Sequence, residues 1–461
     1  IATSVVWDDP RKGVYDYTGH QRRTHSIMPE DKLADMQANF DYLVDNEKIM
    51  EGRAQLVPWE FLTHLVNHRT PIEERVWAAQ RYLPKRTMYG ECYRDVPYDT
   101  VMLETGSQQC KLQDKEYTLA NLKDFGGVCA MQADYAARVG KSMGVPAEYV
   151  AGDVAIGGAG HAWVMWIELK NLTKTGINFS LESHGRFEGY ESLKMYVGEL
   201  RDPRSGKKIT DRELELRLHT VGLDPVAKRQ ADLVMAVYPL LRERQKISVD
   251  EQVNFLEDVI KLSPGNESAW LTLAEIAGSG NLTKAHQRQM KRVLDGLFKT
   301  FANFPDFTWK VFDNLIQYEE ENLKEQIRLY TQLLNLYVAA GRPDLACEAR
   351  LMMTGYLIDA DKQRDAVEGL AETIMAFPDE GRYVPRMLDR LELLCGMNPA
   401  FESNLIVFYK AFLPKVPTTR AGEATQYGIQ MYERGIKRFE AANDTASANK
   451  YKAALAKLKG A

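Results

Sequence analysis

The sequence predicts an α+β unit followed by an all-α unit, and three observations carry that reading. Between residues 126 and 183 one helical pattern is followed by three β-rich runs, the order of an α+β fold rather than of alternating α/β units. After about residue 205 the strand signal vanishes and long helical patterns take over, separated by short turns. The length, 461 residues, exceeds what one ordinary core holds, so two or three domains are expected. The division that follows is 1–54, an arm and helix packing on the core; 55–205, the α+β unit; and 206–461, the helical unit.

Residues 1–28 are polar with little periodicity and read as an extended arm lying on the body. From Pro29 the pattern turns helical, with Leu33, Met36, Phe40 and Leu43 at spacings of three and four. Two more helices follow over 58–69 and 71–83. In the second, Thr70 is placed to cap, Pro71 to take the first helical position, and Glu73 and Glu74 to meet the positive end of the dipole. Residues 84–127 are mixed and read as loop with short helices. "GGVCAMQADYAARVGKSMG" then gives a helix from about Cys129 to Met143, closed by Gly144. "VPAEYVAGDVAI", "HAWVMWIEL" and "INFSLES" read as strands, the first two joined as a hairpin by the Gly-rich link 157–160. In the last half, "VDEQVNFLEDVIKLSPGNESAWLTLAEIAGSGNLTKA" has the look of a tetratricopeptide-type unit, and "LLNLYVAAGRPDLACEARLMMTGYLIDADKQRDAVEGLAETIMAFPDE" has a similar rhythm. The period is irregular, so the region reads as a degenerate tetratricopeptide-like solenoid, with an irregular helical bundle as the alternative.

Composition narrows the function classes. Hydrophobic residues are 45% and charged residues 27%, ordinary globular values. The net charge of −5 gives no basic surplus for nucleic acid or an anionic membrane. No apolar run approaches the ~18–20 residues of a membrane span. The first residue is Ile1 rather than Met, which favours a secreted or periplasmic chain with its signal removed over a cytoplasmic one, a trimmed chain being the other explanation. Five cysteines, none paired as Cys-x-x-Cys, do not make a disulfide scaffold, a structural zinc site or a thioredoxin motif. No metal or cofactor is expected. Asn-x-Ser/Thr occurs at Asn171, Asn178, Asn266, Asn281 and Asn443, a tripeptide that chance supplies freely.

Three residues could do chemistry together. Cys129 sits at a predicted helix start after two glycines, where unpaired N–H groups and the positive dipole end favour thiolate over thiol. Alone, it would read as a small buried apolar residue. His161 opens a β-run 32 residues later, and a strand crossing the front of the helix can bring imidazole to thiol. Glu182, on the next run, could accept from the distal ring nitrogen, with Ser183 and His184 as neighbours; Glu182 and His184 share a face by alternation. The backbone N–H of Cys129 is the natural oxyanion donor, and Tyr89, Tyr93, Gln108 and Gln109 are side-chain candidates upstream. Trp163 and Trp166 lie three apart on the His161 strand, hence on opposite faces, and packing is the better reading for either.

"GGVCAMQADYAARVGKSMGVPAEYVAG", "GHAWVMWIEL" and "NFSLESHGRF" together resemble the transglutaminase-like core of the papain-like superfamily. That pattern is Gly-x-Cys opening a helix, a Gly-(Ile/Val)-Pro-Ala-x-Tyr-Val-x-Gly strand, His-Ala-Trp on the next strand and Asp on the third. "TPIEERVWAAQRYL" resembles the helix that precedes the core in this family, and the resemblance covers about residues 55–200. It departs where Glu182 stands in place of Asp. The resemblance implies acyl transfer from a protein or peptide amide through a thioester on Cys129, with His161 as base and Glu182 as its orienting group. Hydrolysis is the expected outcome, since the prokaryotic-looking members that the chain resembles are peptidase-like. Cross-linking to an amine is the other outcome. The peptide N-glycanase branch brings paired Cys-x-x-Cys motifs that are missing here. The competing expectation is a catalytically inactive scaffold whose helical repeats bind a protein partner.

Overall fold

The computed structural model describes residues 1–50, 57–152, 160–173, 176–186, 195–280, 282–317, 322–420 and 422–460. Most of these are helical, and one five-stranded antiparallel sheet lies between residues 147 and 210. Its strands are β1 (Ala147–Gly152), β2 (His161–Leu172), β3 (Ile177–His184), β4 (Glu199–Arg201) and β5 (Lys208–Thr210), in the order β3-β2-β1-β4-β5. On β2, His161 faces Gly152 and Trp166 faces Ala147 of β1. On its other edge Val164 faces His184 and Trp166 faces Glu182 of β3, with the register shifting between Leu169 and Asn171. Most of the predicted Gly-rich link, and the end of the first β-run, lie outside the described residues.

Alternation along β2 divides the core in two. Ala162 and Val164 pack with Met131, Tyr135 and Val139 of the Cys129–Ser142 helix. Trp163, Met165 and Ile167 pack the other way, on Phe61 and on Leu214, Leu218 and Val221 of the Asp211–Leu223 helix. Both faces are covered, which is why β2 begins as a nearly continuous apolar run. The Asp211–Leu223 helix therefore belongs to the sheet's core, and the α+β unit runs past the expected boundary at 205. Strand β5 was invisible in the sequence because it is three residues long and only Ile209 in it is buried.

Three local expectations need correcting. Residues 1–28 are not extended: they form short helices at Ala2–Trp7, Pro10–Gly13 and Thr18–Thr24, anchored by buried Val6, Val14 and Tyr17. The Met36–Asn46 helix turns Met36 and Phe40 to solvent and buries Asn39, Tyr42 and Leu43. Asn39 is tolerated inside because its amide donates to the Val66 carbonyl at 2.8 Å. Thr70 does not cap the Ile72–Tyr82 helix; Pro71 holds the N-cap position, and the Thr70 hydroxyl is 2.8 Å from His68 Nδ1.

The second half is built of helices sharing one core that runs from Leu216 to Tyr451. Leu323–Ala339, Pro343–Asp359, Gln363–Ala376 and Val384–Met397 each pack on the next, and Pro343–Asp359 also meets Val384–Met397. Contact with the next helix and the next but one is the pattern of a quasi-one-dimensional stack. The turn Pro264-Gly265-Asn266 in the first tetratricopeptide-type segment works through Asn266, which caps the Glu267–Gly278 helix at Ala269 N, and through Trp270, whose indole N–H donates to the Pro264 carbonyl at 2.8 Å. A short hairpin of β6 (Thr419–Arg420) and β7 (Glu423–Ala424) interrupts the stack. No described helix is long and apolar enough to cross a membrane.

Candidate active site

Cys129 is the first residue of its helix, after Val128 at the N-cap, which supplies no side-chain cap. The first-turn N–H groups are thus not occupied by a capping side chain. The two glycines before it serve the chain's own packing. Gly126 has φ +88, and a Cβ there would lie 2.3 Å from the Pro97 carbonyl oxygen; one on Gly127 would lie 2.6 Å from Met131 Cβ. Gly127 bridges to Tyr98, accepting from Asp99 N and donating to Pro97 O, both at 3.0 Å. That bridge lays residues 97–99 beside the approach to Cys129.

Three tyrosines surround the half-buried thiol. Burial pushes the Tyr93 phenol above its ordinary range, and a thiolate at Cys129 would add to that. Tyr98 is raised by the same two causes in the same order. Tyr149 is pushed up to about 12 by burial, then by Cys129, with Arg23 pulling the other way. Tyr93 is the central one. Its hydroxyl donates to the Ala162 carbonyl at 2.9 Å, next to His161, and its ring centroid is 5.7 Å from that of His184.

His161 starts β2, half-buried, with Nε2 2.6 Å from the Gly185 carbonyl oxygen. A carbonyl only accepts, so Nε2 carries the proton and Nδ1 is left as the basic nitrogen. Burial lowers the imidazole's pKa, and the Gly185 bond opposes that. No hydrogen bond joins the Cys129 sulfur to the imidazole among the described residues. By alternation His161 belongs to the Trp163 row, its ring centroid 6.2 Å from Trp163, while the Cys129 helix lies on the other face. It stands at the rim, where β2 begins.

Glu182 does not fit its expected role. It faces Trp166, five residues along β2 from His161 and on the opposite row, and its carboxylate accepts from Ser180 Oγ at 2.6 Å. The third strand reaches His161 through a backbone carbonyl instead. Ser183 faces Met165, and His184 faces Val164 on the helix side, against Tyr93. Of the oxyanion candidates, Tyr89 donates to the Ala136 carbonyl at 2.6 Å behind the helix, Tyr93 is engaged with Ala162, and Gln108 and Gln109 are exposed. Trp163 is fully buried; Trp166 stacks edge-on to Tyr89 at 5.1 Å.

Tyr98, Tyr149 and Gly185 were not among the residues expected at the site. Tyr149 was within reach, because alternation on β1 puts it on the same row as Ala147, which packs under the helix. A His-x-x-x-His spacing, expected to be absent from the chain, is present at His64 and His68. The structure engages these two separately. His64 Nδ1 is 2.7 Å from Glu148, and His68 lies between Thr70 at 2.8 Å and Asp134 at 3.7 Å. Among the described residues no group of three or more His, Cys, Asp or Glu could hold a metal ion.

No protein-family model matches the chain, and no curated protein does. Among solved structures the chain is similar to BtubC (BKLC) from P. vanneervenii, at 13% identity over 47% of this chain and 91% of that one, with a TM-score of 0.24. A likeness at that score carries no conclusion about fold, partner or activity.

Proposed function

We propose that this chain is a thiol-dependent acyl-transfer enzyme of the transglutaminase-like kind, acting on a protein or peptide amide. The observation that carries the reading is the bond from His161 Nε2–H to the Gly185 carbonyl, which sets the neutral tautomer with Nδ1 as the basic nitrogen, in a chain whose Cys129 opens a helix without a side-chain cap. In this reading His161 reaches the thiol around the rim of the sheet, and the pair tightens when substrate binds. The Cys129 thiolate attacks the amide carbonyl while first-turn N–H groups receive the developing oxyanion. The imidazolium then protonates the leaving amine, and a second nucleophile opens the thioester. We favour water as that nucleophile, hence peptidase or amidase action over cross-linking. The helical half, read as tetratricopeptide-like, would present its surface to a protein partner.

Release of amine from a panel of peptide amides by the full chain, followed by mass spectrometry, tests the reading. Cys129→Ala should abolish it, and His161→Ala should cost about 10²–10⁴-fold. Glu182→Gln should stay within about threefold, because Glu182 does not face the imidazole. Undiminished turnover in Cys129→Ala would overturn the proposal. A second reading, an inactive scaffold, is favoured by one observation: alternation puts His161 on the row facing away from the Cys129 helix. A chain that turns over no amide and whose Cys129 reacts like an ordinary thiol would establish that reading.

A further inference from the structure

The Pro225–Leu240 helix has two apolar faces. One buries Ala231 and Tyr238 in the core of the helical half. The other is uncovered, with Val226 60% exposed, Leu233 69%, Val237 42% and Leu240 50%. Together with exposed Gln230 these positions are spaced alternately by four and three residues, the a/d seam of a helix made to pair with another helix. Leu223, 64% exposed at the end of the preceding helix, extends the patch at one end. Single exposed leucines need no explanation, but a contiguous stripe marks an interaction site.

The stripe is self-complementary. An antiparallel second copy sets Val226 opposite Val237 and Gln230 opposite Leu233, and carries Leu240 toward the Leu223 end. The flanking positions are Ala227, Val234 and Ala236, which let two helices approach closely. The charged flank is already neutralised: Arg229 donates to both Glu60 oxygens at 2.7 and 2.8 Å, and Lys228 is bound to Asp232. No like charges then oppose each other across the seam. The uncovered side chains amount to roughly 500 Å² per copy, so a pair would bury roughly 1,000 Å², the lower limit for a specific association. Polar Gln230 within the seam fixes register at some cost in affinity.

We propose that this face is the two-fold interface of a homodimer of this chain, formed by two antiparallel Pro225–Leu240 helices. The inference does not depend on the chemistry at Cys129. Sedimentation equilibrium of the full chain from about 1 to 100 µM should show a reversible dimer with a micromolar dissociation constant. Leu233→Glu should leave a monomer across that range, with the melting temperature that the wild type shows well below the dissociation constant, since position 233 is exposed. Adding Gln230→Lys to Leu233→Glu should restore the dimer, because antiparallel pairing sets the introduced charges face to face. Val407→Glu, at a site 66% exposed on another helix, should leave the dimer intact. A wild-type chain monomeric at 100 µM overturns the proposal, and so does a dimer that survives Leu233→Glu. Failure of the rescue overturns the antiparallel alignment. Binding of the monomeric chain to phosphatidylcholine vesicles, lost in Leu233→Glu, would assign the face to lipid instead.

Discussion

Tyr93 holds the candidate site together: its hydroxyl fixes the Ala162 carbonyl, and its ring leaves no room for a side chain at position 185. Tyr93→Phe removes one buried hydrogen bond. It should cost about 1–3 kcal/mol, read as a lower urea midpoint with an unchanged slope. Gly185→Ala should be worse. Its φ is +90, and an added Cβ would lie 2.6 Å from the Tyr93 ring, so about 2–3 kcal/mol or more is expected, together with displacement of the carbonyl that His161 bonds. Wild-type stability in Gly185→Ala would contradict this geometry. Cys129 and His161 could be chosen from sequence because a helix start and a strand start are local features. The group that orients His161 could not, because a backbone carbonyl has no residue type to search for. Glu182 has the right chemistry, but its position depends on the register of β3 against β2, which the hairpin and the irregularity at Leu169 decide.

At the scale of elements, the Cys129–Ser142 helix was legible at both ends, from the glycines before it and from Gly144, with φ +80, after it. Its interior was not. Asp134, Arg138 and Lys141 look like a solvated face but are buried, and they survive there through distant partners. Arg138 donates to Glu74 at 2.7 Å, and Lys141 donates to the His64 carbonyl and to Asn67, both at 2.5 Å. Beside this group His68 is wholly buried, and burial pulls its pKa down to about 4, against the opposing pull of Asp134. A base whose folded pKa is depressed is neutral in the fold while the unfolded chain takes up a proton. Its contribution is therefore complete above about pH 6.5 and is lost as pH falls toward 4, by about 3 kcal/mol. Urea midpoints measured from pH 7 to 4 should fall steeply in the wild type and less steeply in His68→Gln. Parallel profiles would contradict a neutral buried His68.

At the scale of the whole molecule, the helical half was readable from its periodicity, but its seating on the α+β unit was not. The contacts that make the junction join residues far apart in sequence. Tyr196, just before β4, donates its hydroxyl to Glu380 of the helical half at 2.9 Å, and the Arg342 guanidinium lies over the Tyr196 ring at 5.4 Å. Burial pushes the Glu380 carboxyl up to about 7, with Asp344 adding to it and the Tyr196 bond and Arg382 opposing. An acid with a raised folded pKa stabilises the fold below its unfolded value, and that stability is lost as pH rises from about 4.5 to 7. Glu380→Gln should remove this loss and gain up to about 3 kcal/mol at pH 8 relative to pH 4.5, seen as a flatter dependence of melting temperature on pH. An unchanged pH dependence would show that Glu380 is ionised at the junction.

If the chain acts as proposed, one of its five thiols is activated. Cys92, Cys347 and Cys395 are buried, and Cys110 is half-exposed with a thiol that burial pushes up. Iodoacetamide labelling of the full chain from pH 5 to 9, with modified cysteines mapped by peptide mass spectrometry, separates them. An activated pair predicts selective labelling of Cys129 at pH 6 that disappears in His161→Ala. Equal rates at Cys129 and Cys110, or a selectivity that survives His161→Ala, would contradict it.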